Sequence, residues 1–135
     1  MSSQKTFFIV DDDLDDQELF IEAVNEVDKS IRCLPYSNCE EALELMKSKK
    51  VNLPDIIFLD LNMPKLNGKQ CLMELKKHEI LRDIPVVIYT TSSEKRDIEE
   101  TCRLGAAYFL TKPNKFEELC NAIRYVASRD WSAKN

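Results

Sequence analysis

The chain has 135 residues, 44% of them apolar and 32% charged, with 19 basic side chains against 24 acidic ones and a formal net charge of −5. This length suits one domain with one core of useful size, and the composition belongs to a globular chain rather than a disordered one. The acidic balance excludes nucleic-acid binding over a broad basic face, and no apolar run approaches the roughly 18 residues of a membrane span. The first residues, MSSQKTFFIVDDD, hold too few apolar side chains for a signal-peptide core, so a cytoplasmic location is expected. Five cysteines (Cys33, Cys39, Cys71, Cys102 and Cys120) are odd in number, scattered and never paired as CxxC. They predict lone thiols in a reducing compartment rather than a disulfide framework.

Thr6–Val10 reads as a buried strand, followed by a helix opening near Leu14 whose stripe is Phe20, Ala23, Val24 and Val27. Residues 31–36 form a weaker strand, and Pro35, lacking an N–H, places it at a sheet edge. Ser37 or Asn38 caps a second helix with Cys39, Ala42, Leu43 and Met46 inward, Glu40 or Glu41 standing three residues on. The most apolar strand, 56–61, is central. A turn from Pro64 to Gly68 leads into a third helix with Cys71, Leu72 and Leu75 inward. Residues 85–90 make the fourth strand. A fourth helix, about 93–104, is poor in apolar residues, with Ile98 and Cys102 as its anchors and Gly105 as a left-handed cap. Residues 107–110 make the fifth strand. A last helix, capped by Asn114 with Glu117 at its third position, buries Phe116, Leu119, Cys120, Ile123 and Ala127. His78 is expected in solvent, and residues 128–135 read as a polar tail carrying Trp131. Five strand–helix alternations with nearly continuous apolar strands predict an α/β domain with a parallel sheet covered on both faces. No linker, repeat or low-complexity stretch breaks it, and the domain is expected to use the whole chain.

Four strand ends carry polar chemistry: Asp11, Asp12 and Asp13 after the first, Asp60 after the third, Thr90 and Thr91 after the fourth, Thr111 and Lys112 after the fifth. In an open parallel sheet these ends share one edge, where ligands bind. Carboxylates held together repel one another, and a divalent cation relieves the repulsion. Oxygen ligands without His or Cys suit Mg²⁺ and disfavour zinc. A carboxylate beside such an ion can attack phosphorus to give an acyl phosphate, with Lys112 and the Thr90 hydroxyl placed for phosphoryl oxygens. Taken singly, Asp13, Asp15 and Asp16 read as helix capping and a solvated first turn, Thr90 as a turn residue and Lys112 as a surface lysine. Joint placement at four strand ends favours a site.

VDDD at Val10–Asp13, DLNMPKLNG at Asp60–Gly68, PVVIYT ending at Thr90 and GAAYFLTKP at Gly105–Pro113, in this order, resemble the receiver domain of two-component response regulators (the CheY-like family). The resemblance runs from about residue 6 to 127. It implies a doubly wound, flavodoxin-like (βα)5 fold with strand order 2-1-3-4-5, and phosphorylation of Asp60. Asp12, Asp60 and the Asn62 backbone carbonyl would ligate Mg²⁺, with Asp11 acting largely through water. Thr90 and Lys112 would hold the phosphoryl oxygens. Phe109 falls at the switch-aromatic position, where tyrosine is common in the family and here stands one residue earlier, at Tyr108. Thr91 stands where many relatives have alanine. The Lys112–Pro113 bond is usually cis in the family. The helix-three exit KKHEILRDIP is similar to stand-alone receivers associated with bacterial phytochromes.

With nothing of domain size after residue 127, a stand-alone receiver is expected, a monomer or weak homodimer. Its partners would be a sensor histidine kinase or histidine phosphotransfer protein and an unknown output protein, met through the fourth helix, fifth strand and fifth helix. An aspartyl-nucleophile phosphohydrolase of haloacid-dehalogenase type is the alternative. It needs a second acid two residues after Asp60, where Asn62 has no proton to donate. A flavodoxin-like FMN protein needs a phosphate-cradling first loop, and Asp11–Asp13 would repel the phosphate.

Overall fold

The structure, a computed structural model, describes residues 4–64 and 66–131. Five strands alternate with five helices: β1 (Thr6–Val10), α1 (Leu14–Val27), β2 (Arg32–Tyr36), α2 (Cys39–Lys47), β3 (Ile56–Leu59), α3 (Gly68–Lys77), β4 (Val86–Thr90), α4 (Lys95–Arg103), β5 (Tyr108–Thr111) and α5 (Phe116–Ser128). The strands pair in parallel in the order β2-β1-β3-β4-β5. This is the doubly wound sheet expected, with Pro35 on an edge strand.

Strand alternation feeds two cores. Phe7, Ile9 and Phe58 face α1 and α5, meeting Phe20, Val24 and Ile123. Phe8, Val10 and Ile57 face the other side, meeting Ala42, Leu72 and Leu75 of α2 and α3. All four residues of β3 are buried, as a central strand covered on both faces requires. Asp13 caps α1 by accepting the N–H groups of Asp15 and Asp16, Asn38 caps α2, and Asn67 with Gln70 forms a capping box on α3.

Several details differ from expectation. Cys39 and Cys71 form a disulfide, with Cα atoms 5.9 Å apart. The first residue of α2 and the inner face of α3 cover the same side of the sheet, so two thiols distant in sequence meet there. Cys33, Cys102 and Cys120 remain free, and burial pushes the Cys33 thiol up to about 12. α4 does not anchor through Ile98 and Cys102, which are exposed; its one buried side chain is Thr101, whose hydroxyl donates back to the Asp97 carbonyl at 2.8 Å. α5 starts after Lys115 and has no side-chain cap, so Asn114 lies one residue too early. Phe116 is exposed and Ala127 half-buried, while Val126 takes the inward place. His78 is half-buried, its Nδ1 accepting the Ile80 N–H at 3.2 Å. Gly105 does adopt a left-handed φ of 106°. Trp131 folds back, its Nε1–H donating to the Val126 carbonyl at 2.8 Å; the rest of the expected tail, 132–135, lies outside the described residues.

Candidate functional site

Ladder hydrogen bonds carry each polar residue just past its strand and hold it at one edge of the sheet. Asp11 N–H donates to the Tyr36 carbonyl at 3.0 Å and Asp60 N–H to the Val10 carbonyl at 3.0 Å. Lys112 N–H donates to the Thr90 carbonyl at 2.6 Å. The turn after Asp60 is drawn in tightly. A Cβ on Gly68 would come within 2.3 Å of the Asp60 carbonyl oxygen, so only glycine lets α3 begin against that backbone.

Asp11, Asp12 and Asp60 each offer a carboxylate oxygen, all within 4.8 Å of one another. Asp11 and Asp60 are buried and Asp12 is exposed. Lys112 Nζ lies 2.8 Å from Asp11 Oδ2, 2.7 Å from Asp16 Oδ2 and 3.9 Å from Asp60 Oδ2. Burial pushes the Asp11 carboxyl up to about 6, although the hydrogen bonds from Lys112 and the Asp13 N–H pull the other way. Burial works against the Lys112 charge as well, yet the hydrogen bonds to Asp11 and Asp16 outweigh it and hold the amine above its ordinary range.

Asp60 Oδ1 is buried and has no hydrogen-bond partner among the described residues. A buried carboxylate oxygen is costly in that condition, and its neighbours are two further carboxylates. The donor set is all oxygen, without His or Cys. It fits a hard divalent cation of the Mg²⁺ or Mn²⁺ kind, which keeps several waters beside a few carboxylates.

Thr90 is fully buried, with Oγ1 accepting a long 3.4 Å hydrogen bond from Asn62 Nδ2. Asn62 thus reaches the site through its side chain as well as lying two residues after Asp60 in sequence. Thr91 is exposed. Phe109 is half-buried against the core on the α3 side, paired in register with Ile88. It also lines a cavity of about 140 Å³ with Ile98, Thr101, Cys102, Ala106 and Tyr108. The Lys112–Pro113 bond is trans, since no cis peptide occurs among the described residues.

Three participants were not expected from sequence. Asp16 points into the site rather than into solvent. Gln17 is buried, and its amide donates to the Asp11 carbonyl at 2.6 Å and the Tyr36 carbonyl at 3.3 Å, tying the ends of β1 and β2 together. The Tyr89 ring lies 5.3 Å from Lys112 Nζ, a cation–π floor beneath the amine. Asp16 and Gln17 fall one turn into α1, where the strand-end pattern carries no signal.

An acidic cluster, a lysine and a hydroxyl at the carboxyl edge of a 2-1-3-4-5 sheet define a receiver-type α/β domain. Residues 7–124 match the response regulator receiver domain family, and the chain belongs to that family. Response regulator Rcp1 of Synechocystis sp. is 36% identical over 75 residues, covering 56% of this chain and 51% of that protein. Phosphate regulon transcriptional regulatory protein PhoB of Pseudomonas aeruginosa is 30% identical over 125 residues, covering 93% of this chain and 52% of that one. The match therefore spans about half the length of these curated relatives. Among solved structures, the phosphorylated cyanobacterial phytochrome response regulator RcpA superposes with a TM-score of 0.84 at 28% identity, covering 92% of this chain and 91% of that one. The Mn²⁺-bound form of Rcp1 gives a TM-score of 0.79 at 27% identity, with 92% of each chain covered. The chain is thus a two-component receiver by fold and family, and the family is one of phosphoacceptor signalling domains rather than conventional enzymes.

Proposed function

We propose that this protein is a response regulator receiver that takes a phosphoryl group onto Asp60 from a phosphohistidine and passes the signal on through protein contacts. The observation that carries the reading is the buried Asp60 Oδ1, without a partner among the described residues and set among acids with Lys112 Nζ 3.9 Å from its other oxygen. An Asp60 carboxylate oxygen forms the new bond to phosphorus while the phosphorus–nitrogen bond breaks. The leaving imidazole then takes a proton from solvent. Lys112 and the Thr90 hydroxyl hold the phosphoryl oxygens. Asp12, Asp60 and the Asn62 carbonyl would ligate Mg²⁺, with Asp11 acting through water. A cation there supplies charge neutralisation for acid and phosphate together.

The donor would be a sensor histidine kinase or a histidine phosphotransfer protein. Likeness to phytochrome response regulators makes a phytochrome-type kinase the first donor to test. Output is assigned to the α4–β5–α5 face, where Ile98, Tyr108, Phe116 and Tyr125 are exposed. The test is incubation with acetyl phosphate and Mg²⁺, followed by intact mass and peptide mapping. One phosphoryl group is expected, on Asp60, and none on Asp60→Asn. Labelling of that variant at the wild-type level overturns the assignment. Turnover of p-nitrophenyl phosphate would instead support the phosphohydrolase reading.

A further inference from the structure

α4 presents a packing problem. It carries a charged surface and buries only Thr101, so apolar burial does little to fix where it lies. Its polar face is instead met by Lys69, the second residue of α3. Lys69 Nζ lies 2.7 Å from Asp97 Oδ1 and also bonds Glu100 Oε1, one turn further along α4. The other Asp97 oxygen accepts the Ser92 hydroxyl at 2.6 Å, and Arg96 Nε stands 3.5 Å from Glu100. Ser92 is further held by the Thr111 hydroxyl, which donates to its carbonyl at 3.2 Å.

Both ends of this network start at the phosphoacceptor site. Lys69 follows Gly68, whose backbone is pressed against the Asp60 carbonyl. Ser92 stands two residues after Thr90. A ring of contacts therefore runs from Asp60 through α3 to Lys69, across to Asp97, and back through Ser92 to Thr90. From this geometry we infer that Lys69 is a positioning residue, a latch that holds α4 in the unphosphorylated arrangement. The inference rests on the phosphoacceptor reading of Asp60.

The latch is polar and partly solvated, which lets it open without exposing apolar surface. Thr90 moving toward a phosphoryl group draws the 91–94 segment with it. That takes the Ser92 hydroxyl from Asp97 and leaves Lys69 with one fewer oriented acceptor. A contact made in only one of two arrangements biases the equilibrium by its own strength, and the bias is reciprocal. Loosening the latch must therefore favour phosphorylation.

Four proteins test this: wild type, Lys69→Met, Lys69→Arg and, as an independent cut of the same network, Asp97→Asn. Hydrogen exchange is measured over residues 92–103 without phosphodonor, and the rate of mass gain is measured with acetyl phosphate and Mg²⁺. With acetyl phosphate reacting through the loosened arrangement, the rate follows that arrangement's population, so Lys69→Met and Asp97→Asn are expected to exchange roughly 3- to 10-fold faster in that segment and to phosphorylate roughly 3-fold faster, with Lys69→Arg close to wild type. Faster exchange with an unchanged or slower phosphorylation rate would mark a merely structural role and overturn the proposal, as would unchanged exchange. If wild type and variants alike gain no phosphoryl group, the phosphoacceptor reading fails and this role goes with it. Labelling of wild type at the variants' rate removes the latch alone.

Discussion

Lys112 Nζ sits 2.8 Å from Asp11 Oδ2 and 3.9 Å from Asp60 Oδ2, so its charge is committed to Asp11, together with Asp16 at 2.7 Å, and lies only within reach of Asp60. Asp11 is fully buried, and the lysine and Asp13 N–H are what offset that burial. Lys112→Met is expected to cost about 3–5 kcal/mol of stability in urea unfolding without added metal, because it removes the charged partner of a buried carboxylate. Adding Asp11→Asn should return most of that loss, giving a favourable coupling between the two positions in a double-mutant cycle. Additive losses would show that the pair does not act as a unit.

Asp12 and Asp13 are adjacent acids with opposite duties. Asp13 accepts the Asp15 N–H at 3.0 Å and the Asp16 N–H at 3.2 Å as the cap of α1, whereas Asp12 is the exposed member of the carboxylate cluster. Asp13→Ala should lower stability by about 1 kcal/mol and leave Mg²⁺ affinity nearly unchanged. Asp12→Ala should weaken Mg²⁺ binding strongly while raising metal-free stability, since it removes one of three mutually repelling charges. Isothermal titration and thermal melts of both variants separate the roles; equal losses of Mg²⁺ affinity would contradict them.

The Cys39–Cys71 disulfide closes a loop across a sequence separation of 32 residues. Alkylation of the unfolded, unreduced protein should therefore modify three cysteines, Cys33, Cys102 and Cys120, and prior reduction should open all five. Cys71→Ala is expected to lose about 3–4 kcal/mol, the chain-entropy value for a loop of that length. Five modified thiols before reduction would refute the bridge.

How much of this was legible in the sequence depends on how local the cause is. Asp60, Thr90 and Lys112 stand at the ends of apolar runs, and a parallel sheet gathers such ends at one edge whatever the packing details. Asp16 could not be separated from an ordinary first-turn acid, because its orientation depends on where the Lys112 amine arrives from a hundred residues away. The disulfide was illegible for the same reason: it depends on α2 and α3 covering one face, a tertiary fact. α4 misled because a helix short of apolar residues invites every available one, Ile98 and Cys102, to be read as an anchor. What meets its polar face lies on another helix, at Lys69.

The contact between Lys69 and α4 should be insensitive to pH across the neutral range. Hydrogen bonds from Lys69 and then Ser92 hold the Asp97 carboxyl below its ordinary 3.8, and those to Asp97 and Glu100 hold the Lys69 amine above its ordinary 10.5. A depressed acid contributes stability above its unfolded value and loses it as pH falls through the folded one. A raised lysine contributes below its unfolded value and loses it as pH climbs through the folded one. Rate-corrected hydrogen exchange over 92–103 should thus be flat between about pH 5 and about pH 9.5 and should instead rise with salt, as screening weakens Lys69, Asp97, Glu100 and Arg96 together. A transition inside that pH window would show that other groups hold the helix.

On the proposed reading, Thr90 couples the acid site to the output face. Its hydroxyl is fully buried and among the described residues makes only the long 3.4 Å contact with Asn62, so it is free to exchange that partner for a stronger one. Phosphoryl oxygens on Asp60 provide such an acceptor. Phe109 lies on the neighbouring strand, paired with Ile88 two residues before Thr90, and it borders the cavity of about 140 Å³ beneath α4. Movement of Thr90 toward Asp60 therefore changes the space available to the Phe109 ring. A phenylalanine has no hydroxyl to anchor it outward, so its turn inward is opposed only by packing. A modification shifts the equilibrium only by contacts that differ between the two arrangements, and the Thr90 bond is such a contact. Thr90→Ala should still gain the phosphoryl group on Asp60 but show less than half of the wild-type phosphorylation-dependent change in hydrogen exchange over residues 93–112. A response of wild-type size would show that the hydroxyl is not the coupling element.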